Sequence, residues 1–285
     1  MAKETDIAAS GAEVEALTFG EKVKRELREW AMTLAVFVPA FMVFSGLAYE
    51  QRVIPSESMI PNLEVSDRVA VSKFAYGYGR YSFPFSLGRY LPLGDGRIFA
   101  STPERGDVVV FEHTHTPRVM IKRVIGLPGD EIQVLDEQLF LNGEAVSKEF
   151  VRDVRYVPHD KTPAVNGHEW RETIGDKIWL TNWWNKGGRL DSTAIFVVPE
   201  GHLFLMGDNR DNSLDSRALS GHCPPDENGI VSEFGCELRV PADRASIGFV
   251  PMDNLIGRAE TVLMSFHRCK LENDLTCKKR VWKGL

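Results

Sequence analysis

Residues Ala31–Tyr49, with the sequence AMTLAVFVPAFMVFSGLAY, form a run of 19 residues that contains no charged side chain. As a helix rising about 1.5 Å per residue, this run would reach about 28 Å, close to the roughly 30 Å hydrocarbon thickness of a bilayer. Trp30 and Tyr49 stand at its two ends, where interfacial aromatic residues are enriched. Pro39 lies near the middle, and membrane helices tolerate the kink that a proline introduces. The run therefore predicts a transmembrane helix.

The flanks of the run predict its orientation. The residues before it include four basic side chains, Lys22, Lys24, Arg25 and Arg28. Only Arg52 follows closely, so we expect a disordered cytoplasmic tail over 1–20, the transmembrane helix over 21–49 and an extracytoplasmic domain over 50–285. A cleavable signal peptide with a small-x-small site at 46–48 is disfavoured because the run exceeds the usual ~7–15 apolar residues. A buried soluble helix is disfavoured because no polar stripe interrupts the run.

The composition of the whole chain favours a mainly β fold. The 15 prolines and 24 glycines suit short strands and turns, and the 16 phenylalanines suffice for a real core. A net charge of −6 argues against nucleic-acid binding. An Asn142-Gly143 pair between apolar alternations predicts a hairpin turn. Period-two patterns predict strands at Val108–Phe111, Val119–Ile121, Glu131–Val134, Leu139–Leu141 and His202–Met206.

The four cysteines fall in the last quarter of the chain, at Cys223, Cys236, Cys269 and Cys277. An exported domain permits disulfides, and three pairings are open, of which the two between sequence neighbours need the smallest loops. Metal binding by His222 with the first two cysteines is the alternative, although the spacing matches no familiar zinc pattern.

Three stretches carry candidate chemistry, and the first two offer a serine and a lysine. In Pro55–Pro61 (PSESMIP) the two prolines hold a serine pair on an extended or turned backbone, which could also be a solvated turn. On a strand, Lys122 shares its face with Met120 and Val124. Desolvation there lowers the pKa, and a fall of roughly 3 units, about 4 kcal/mol, would make a general base near neutrality. The alternative is a lysine that extends to water.

The third stretch is Gly207–Arg217 (GDNRDNSLDSR), whose dense polar side chains predict a hydrogen-bonded network. A calcium loop is rejected because Arg210 occupies the third-ligand position and the required glycine and closing glutamate are missing. The sequence has no Gly-x-Ser-x-Gly motif and no recognisable histidine triad. His113 and His115 could chelate a metal, but no third ligand lies nearby in sequence.

Together these stretches resemble the type I signal peptidases (leader peptidases) of bacteria. The family pattern matches PSESMIPNL at Pro55–Leu63, RGDVVVF at Arg105–Phe111, KRVIGLPGD at Lys122–Asp130 and GDNRDNSLDSR at Gly207–Arg217. The four motifs occur in the family's order behind an N-terminal membrane segment. The resemblance implies a multi-stranded signal-peptidase-type β fold behind a single N-terminal transmembrane helix.

The resemblance covers a core of about 53–129 and 202–266. It leaves out a predicted inserted subdomain of about 136–198, which is rich in tryptophan and carries no chemical motif. Asn62 replaces the family's usual threonine, and Glu57 replaces a commonly small residue beside the second serine. A carboxylate at that position suggests a shifted pH optimum.

By this resemblance, Ser58 is the nucleophile and Lys122 is its general base. The oxyanion hole combines the backbone N–H of Ser58 with the hydroxyl of Ser56. Ser213 matches the serine that orients the lysine. The supporting shell of salt bridges and hydrogen bonds consists of Arg123, Asp208, Arg210, Asp215 and Arg217.

The implied activity is a membrane-anchored serine endopeptidase that removes N-terminal signal peptides from exported preproteins. It cuts after small residues at −1 and −3 and needs no cofactor or metal. The implied partners are preprotein signal peptides and membrane lipid, with no nucleic acid, and we expect a monomer. The implied location is the bacterial inner (cytoplasmic) membrane, with a cytoplasmic N-terminus and a periplasmic catalytic domain. The aromatic stretch Phe74–Leu93 is predicted either to insert into the bilayer surface or to belong to the core.

Three alternatives remain. A peptidase that matures a single conjugation or pilus subunit would have a very similar sequence. A self-cleaving repressor-type protease uses a related Ser–Lys dyad, but it is cytoplasmic, which the apolar run contradicts. A catalytically silent membrane-anchored β scaffold would explain the anchor and the strands, but not the matching contexts of Ser58, Lys122 and Ser213.

Overall fold

The structure is a computed structural model. It describes residues 19–83, 90, 96–114, 116–156, 164–184, 187–188, 190–218, 228, 230–231, 247–265 and 281–285. The four cysteines, His115, the N-terminal tail and much of the aromatic stretch therefore lie outside the described residues, so the predictions made for them stay predictions. The chain divides into two compact units, Met1–Phe44 and Ser45–Leu285.

Helix α1, Phe19–Leu47, contains most of the predicted transmembrane segment. It begins with Glu21 in its first turn, which suits the positive end of the helix dipole, and it includes Pro39. It ends two residues before the predicted boundary, because Tyr49 already belongs to a strand. Large apolar side chains are exposed along the helix, including Trp30, Leu34, Val36, Phe37 and Phe41. No helix within the described residues is long and apolar enough to cross a membrane.

The second unit is built on an eight-stranded sheet that holds most of the predicted core strands. Its path is β1-β2-β15-β3-β4-β12-β14, and β16 pairs with β15. The strands are β1 (Tyr49–Val53), β2 (Asp67–Ser72), β3 (Val108–Glu112), β4 (Val119–Gly126), β12 (His202–Met206), β14 (Val250–Pro251), β15 (Leu255–Ser265) and β16 (Lys283–Gly284). Short 3-10 helices span Phe74–Tyr76, Arg210–Asn212 and Met252–Asn254.

Two smaller sheets complete this unit. A five-stranded sheet has the order β13-β11-β5-β6-β7, with strands β5 (Glu131–Leu135), β6 (Gln138–Leu141), β7 (Glu144–Ala145), β11 (Ile195–Val197) and β13 (Ile230–Val231). A three-stranded antiparallel sheet contains β8 (Ser147–Tyr156), β9 (Val165–Ile174) and β10 (Lys177–Trp183). The predicted hairpin turn is confirmed, because Asn142 and Gly143 both have positive φ between β6 and β7. The mainly β prediction is likewise confirmed.

The pairing pattern leaves two strand edges available beside one cavity. β1 ends the sheet path, and β12 pairs with β4 only from Arg123 to Gly126. Residues 52–56 and 118–122 nevertheless line the same cavity, together with Val110. Because β1 and β4 are separated by three strands in the sheet, this shared lining means that the sheet curls.

Candidate active site

Ser58 lies in the loop between β1 and β2, where its neighbours hold it in place. Met59, Ile60 and Leu63 are buried almost completely, so the residues after the serine pack into the protein interior. The backbone N–H of Asn209 donates to the carbonyl of Ser58 at 3.1 Å. The Asn209 side-chain amide donates to the carbonyl of Glu57 at 3.0 Å. A loop without secondary structure of its own is thereby fixed on both sides of the serine.

Lys122 lies on β4 and meets this serine. Its side chain is buried, and its Nζ lies 2.7 Å from the Oγ of Ser58 and 3.0 Å from the carbonyl oxygen of Ile121. Burial lowers the pKa of Lys122 from 10.5 to about 8, against the opposing effects of the Asp215 and Asp208 carboxylates. The structure therefore agrees with the predicted direction of the shift, and the distance allows direct proton transfer.

The predicted oxyanion residue lies at the mouth of the same site. The Oγ of Ser56 is 3.3 Å from the Oγ of Ser58, and Ser56 is exposed. Ser56 and Lys122 both line the cavity between the two strand edges, which has a volume of about 340 Å³ and mostly apolar walls. An extended peptide entering this cavity would pass both residues.

Gly207 marks the point where the third motif contacts Ser58. A Cβ at this position would lie 2.2 Å from Ser213 Oγ and 2.5 Å from the carbonyl oxygen of Ser58, so only glycine fits without displacement. The hydrogen bonds that Lys122 Nζ donates among the described residues go to Ser58 and Ile121, and not to the buried Oγ of Ser213. The predicted orientation of Lys122 by Ser213 therefore stays a prediction.

Asp215 and Arg217 form one of three buried ion pairs around Gly207. Both Arg217 Nε and Nη2 lie 2.9 Å from the carboxylate of Asp215, and both side chains are fully buried. The backbone N–H of Gly207 also donates to Asp215 at 3.0 Å. Burial alone would raise the pKa of Asp215, but Arg217 and the Gly207 N–H lower it below its ordinary value.

Arg123 and Asp208 form the second pair. The Nε and Nη2 of Arg123 each donate to the Asp208 carboxylate at 2.7 Å, a bidentate arrangement with planar complementarity. Asn62 donates to the same carboxylate and to the carbonyl of Leu180, both at 2.7 Å. The asparagine that replaces the family's threonine thus ties the Ser58 loop to Asp208 and to β10.

Arg210 forms the third pair with a residue that sequence reasoning missed. Its Nη2 donates to the carboxylate of Glu172 on β9, and each side chain is 1% exposed. Its Nε donates to the Gly207 carbonyl at 3.1 Å, and its guanidinium lies 5.7 Å from the ring centroid of Trp183. Strand β10 adds a backbone bond from Asn182 N–H to the Asp208 carbonyl at 2.9 Å. The predicted insertion therefore contacts the third motif directly.

The described ranges were also considered for side chains that could bind a metal ion together. They contain no group of three or more His, Cys, Asp or Glu side chains arranged to hold an ion. His113 is buried, and its Nδ1 accepts a hydrogen bond from the Thr116 N–H at 3.3 Å.

The geometry can be compared with known proteins. Residues 27–264 match the family model described as signal peptidase, peptidase S26. The chain belongs to this signal peptidase family. The family resemblance of the four motifs is thus confirmed, and with it the expectation of a serine peptidase.

Individual signal peptidases agree with this assignment. Signal peptidase I of Rickettsia massiliae is 31% identical over 88% of this chain and 85% of its own length. Signal peptidase I of Pseudomonas aeruginosa is 33% identical over 89% of this chain and 78% of its own length. A solved structure of a signal peptidase I from Enterococcus faecalis V583 is 23% identical and aligns with 55% of this chain and 97% of its own. The TM-score of this alignment is 0.28. These relatives do not favour a peptidase dedicated to one pilus or conjugation subunit.

Proposed function

We propose that this chain removes N-terminal signal peptides from exported preproteins, with Ser58 as the nucleophile and Lys122 as its general base. The observation that carries the proposal is the 2.7 Å contact between Lys122 Nζ and Ser58 Oγ, made by a buried lysine whose pKa is lowered to about 8. A serine hydroxyl is a weak nucleophile without an adjacent base, and a neutral amine at hydrogen-bond distance supplies one.

The reaction proceeds in two halves through an ester. Neutral Lys122 accepts the Ser58 proton while Oγ attacks the scissile carbonyl, and the oxyanion receives hydrogen bonds from the Ser58 N–H and the Ser56 hydroxyl. Protonated Lys122 then donates this proton to the leaving amine, and an acyl-serine remains. In the second half, Lys122 accepts a proton from water, the resulting attack cleaves the ester, and Ser58 Oγ recovers the proton.

The substrate binds as an added strand in the cavity between the two strand edges. An extended peptide there can hydrogen-bond to backbone groups of residues 52–56 or 118–122, as in other cases of strand addition. Alternate side chains of the peptide then face the cavity, and small residues at −1 and −3 allow the scissile carbonyl to approach Ser58. The apolar walls suit such short aliphatic side chains.

We further propose that α1 anchors the chain in the bacterial cytoplasmic membrane, with the β unit on the periplasmic side. The uncharged run, its aromatic ends, the basic residues before it and the exposed apolar side chains of α1 support this proposal. Anchoring would hold the site near membrane-embedded signal peptides and raise their effective concentration.

Cleavage of a preprotein that carries Ala-x-Ala before its mature sequence tests the function. The assay compares the wild type with Ser58→Ala, Lys122→Ala and a surface control, Arg80→Ala, all as full-length chains in neutral detergent. We expect cleavage after the second alanine by the wild type and the control only. Equal cleavage by all four proteins would show that the nucleophile lies elsewhere.

A further inference from the structure

Two arginines at the outer end of the substrate cavity serve no purpose in the mechanism above. Arg52 and Arg118 both line the cavity, one on each of the two chain segments that form its walls. Arg52 is four positions from Ser56, and Arg118 is four positions from Lys122. At about 3.3 Å per residue, Arg118 lies about 13 Å from Lys122 in the direction of β4, and Arg52, at the end of β1, lies up to this distance from Ser56. The cavity thus combines a catalytic end, apolar walls and a cationic outer end.

The charges of these arginines are not balanced locally. Arg52 contacts Glu50, but that carboxylate also pairs with the buried Lys73 at 2.7 Å, so one negative charge is shared between two cations. Arg52 Nε is buried and has no hydrogen-bond partner among the described residues. Arg118 is exposed, and its guanidinium forms no ion pair with the part of the chain that the structure describes. The outer end of the cavity therefore retains donors and positive charge for a ligand.

The position of a bound peptide predicts which of its side chains would contact Arg52 and Arg118. Side chains alternate along an extended chain, so residues −1, −3 and −5 share the face that points into the cavity. Residue −5 lies four residues, about 13 Å, from residue −1. This distance matches the separation of the arginines from Ser56 and Lys122.

We propose that Arg52 and Arg118 form a subsite that selects a carboxylate side chain, aspartate or glutamate, at position −5 of the substrate. The proposal rests on the proposed function, because it assumes that the peptide lies in this cavity with its scissile bond at Ser58. Guanidinium groups bind carboxylates with matched planar geometry, and the adjacent apolar walls reduce the competition from water. A lysine at −5 would instead face two like charges.

The test uses five peptides of one sequence that differ only at −5, with Glu, Asp, Gln, Ala or Lys, and a constant Ala-x-Ala site. Each is cleaved by full-length protein in neutral detergent, and the readout is the ratio of kcat/KM for Glu over Gln within each variant. The ratio is insensitive to general damage by a substitution. In the wild type we expect kcat/KM to be about fivefold higher for the Glu peptide than for the Gln peptide, which corresponds to the energy of a partly exposed ion pair. We expect kcat/KM for the Lys peptide to be lower than for the Gln peptide.

The variants assign this preference to residues. Arg52→Gln and Arg118→Gln should each reduce the ratio, and the double variant should bring it close to one. Arg80→Gln, which removes one exposed arginine outside the cavity, should keep the wild-type ratio. Arg118→Lys should keep part of the preference because it retains the charge. High salt should weaken the preference in the wild type.

Three results would overturn the subsite. Cleavage after Ala-x-Ala with equal rates for all five peptides would reject it and leave the proposed function intact. A ratio that survives the double variant would assign the preference to other residues. Arginine variants that bind more weakly to phosphatidylglycerol vesicles, without a change in the peptide ratio, would assign these cations to lipid. Failure of the wild type to cleave any peptide would reject the proposed function together with the subsite.

Discussion

The pH dependence of peptide cleavage tests the role of Lys122 most directly. If Lys122 acts as the base, only its neutral form is active, so kcat/KM should rise with pH and level off above the pKa of about 8. With that pKa, about half of the lysine is neutral at pH 8 and about 1% at pH 6, so the rate should fall about 50-fold between them. A water-exposed lysine would keep the profile rising to about pH 10.

The assay measures kcat/KM for one Ala-x-Ala peptide from pH 6 to pH 10. Circular dichroism at both pH limits checks that the protein remains folded. Lys122→Arg is the matched variant, because a guanidinium keeps the charge but does not deprotonate in this range, and it should be inactive at every pH. A flat profile, or one with its midpoint near 10, would refute the assignment of a desolvated lysine base. Activity in Lys122→Arg would refute it independently.

The same pKa shift has a consequence for stability. The folded-state pKa lies below the ordinary value, so the protonated lysine destabilises the fold below about pH 8, and this penalty disappears as the pH rises toward 10.5. A shift from 10.5 to about 8 corresponds to about 3 kcal/mol. Lys122→Met should therefore abolish cleavage and raise the free energy of unfolding at pH 7 by up to about 3 kcal/mol, with a smaller gain at pH 10. Equal gains at both pH values would contradict this explanation.

Three further substitutions address the groups around the dyad. Glu172→Gln leaves a buried arginine without its counter-charge and should lower the free energy of unfolding by about 3–5 kcal/mol. Glu149→Gln breaks an exposed pair on the same sheet and should lower it by less than about 1 kcal/mol. Similar urea unfolding midpoints for the two variants would contradict this difference. Ser56→Ala should reduce kcat about 10²–10³-fold with little change in KM, and an unchanged kcat would remove its hydroxyl from the oxyanion hole. Gly207→Ala should lower kcat at least about tenfold and destabilise by about 1–3 kcal/mol because its Cβ would overlap Ser58 O and Ser213. Gly284→Ala, which meets nothing within 4 Å, is its control, and equal effects would argue against close packing as the cause.

Local patterns were sufficient for the parts of the fold that depend on neighbouring residues. The alternation around Val108–Phe111 and His202–Met206 predicted strands, and Asn142-Gly143 predicted its turn, because strand faces and positive φ values are properties of short segments. The pairing of Ser58 with Lys122 was predicted only through the family resemblance. The two residues are 64 positions apart, and periodicity does not specify which strands approach each other.

The contribution of the tryptophan-rich insertion could not be predicted for the same reason. Glu172 follows the exposed Arg171 on β9, and its local sequence resembles that of a solvated strand face. Its burial becomes evident only when β9 packs against a loop 38 positions later and Arg210 neutralises its charge. This segment has no recognisable motif, yet it contacts the site. The contacts could not be predicted because the residues that make them are far apart in the sequence.

These contacts imply that the three-stranded sheet β8–β10 helps to hold Ser58 beside Lys122. Glu172 holds Arg210, which donates to the Gly207 carbonyl, while Asn182 donates to the carbonyl of Asp208. Gly207 in turn contacts the carbonyl of Ser58 closely enough to exclude a Cβ. A displacement of β9 would therefore be transmitted to Ser58 through Arg210 and Gly207, without any change in Ser58 or Lys122 themselves. If Ser58 and Lys122 supply the chemistry as proposed, a segment without a chemical motif helps to keep them 2.7 Å apart.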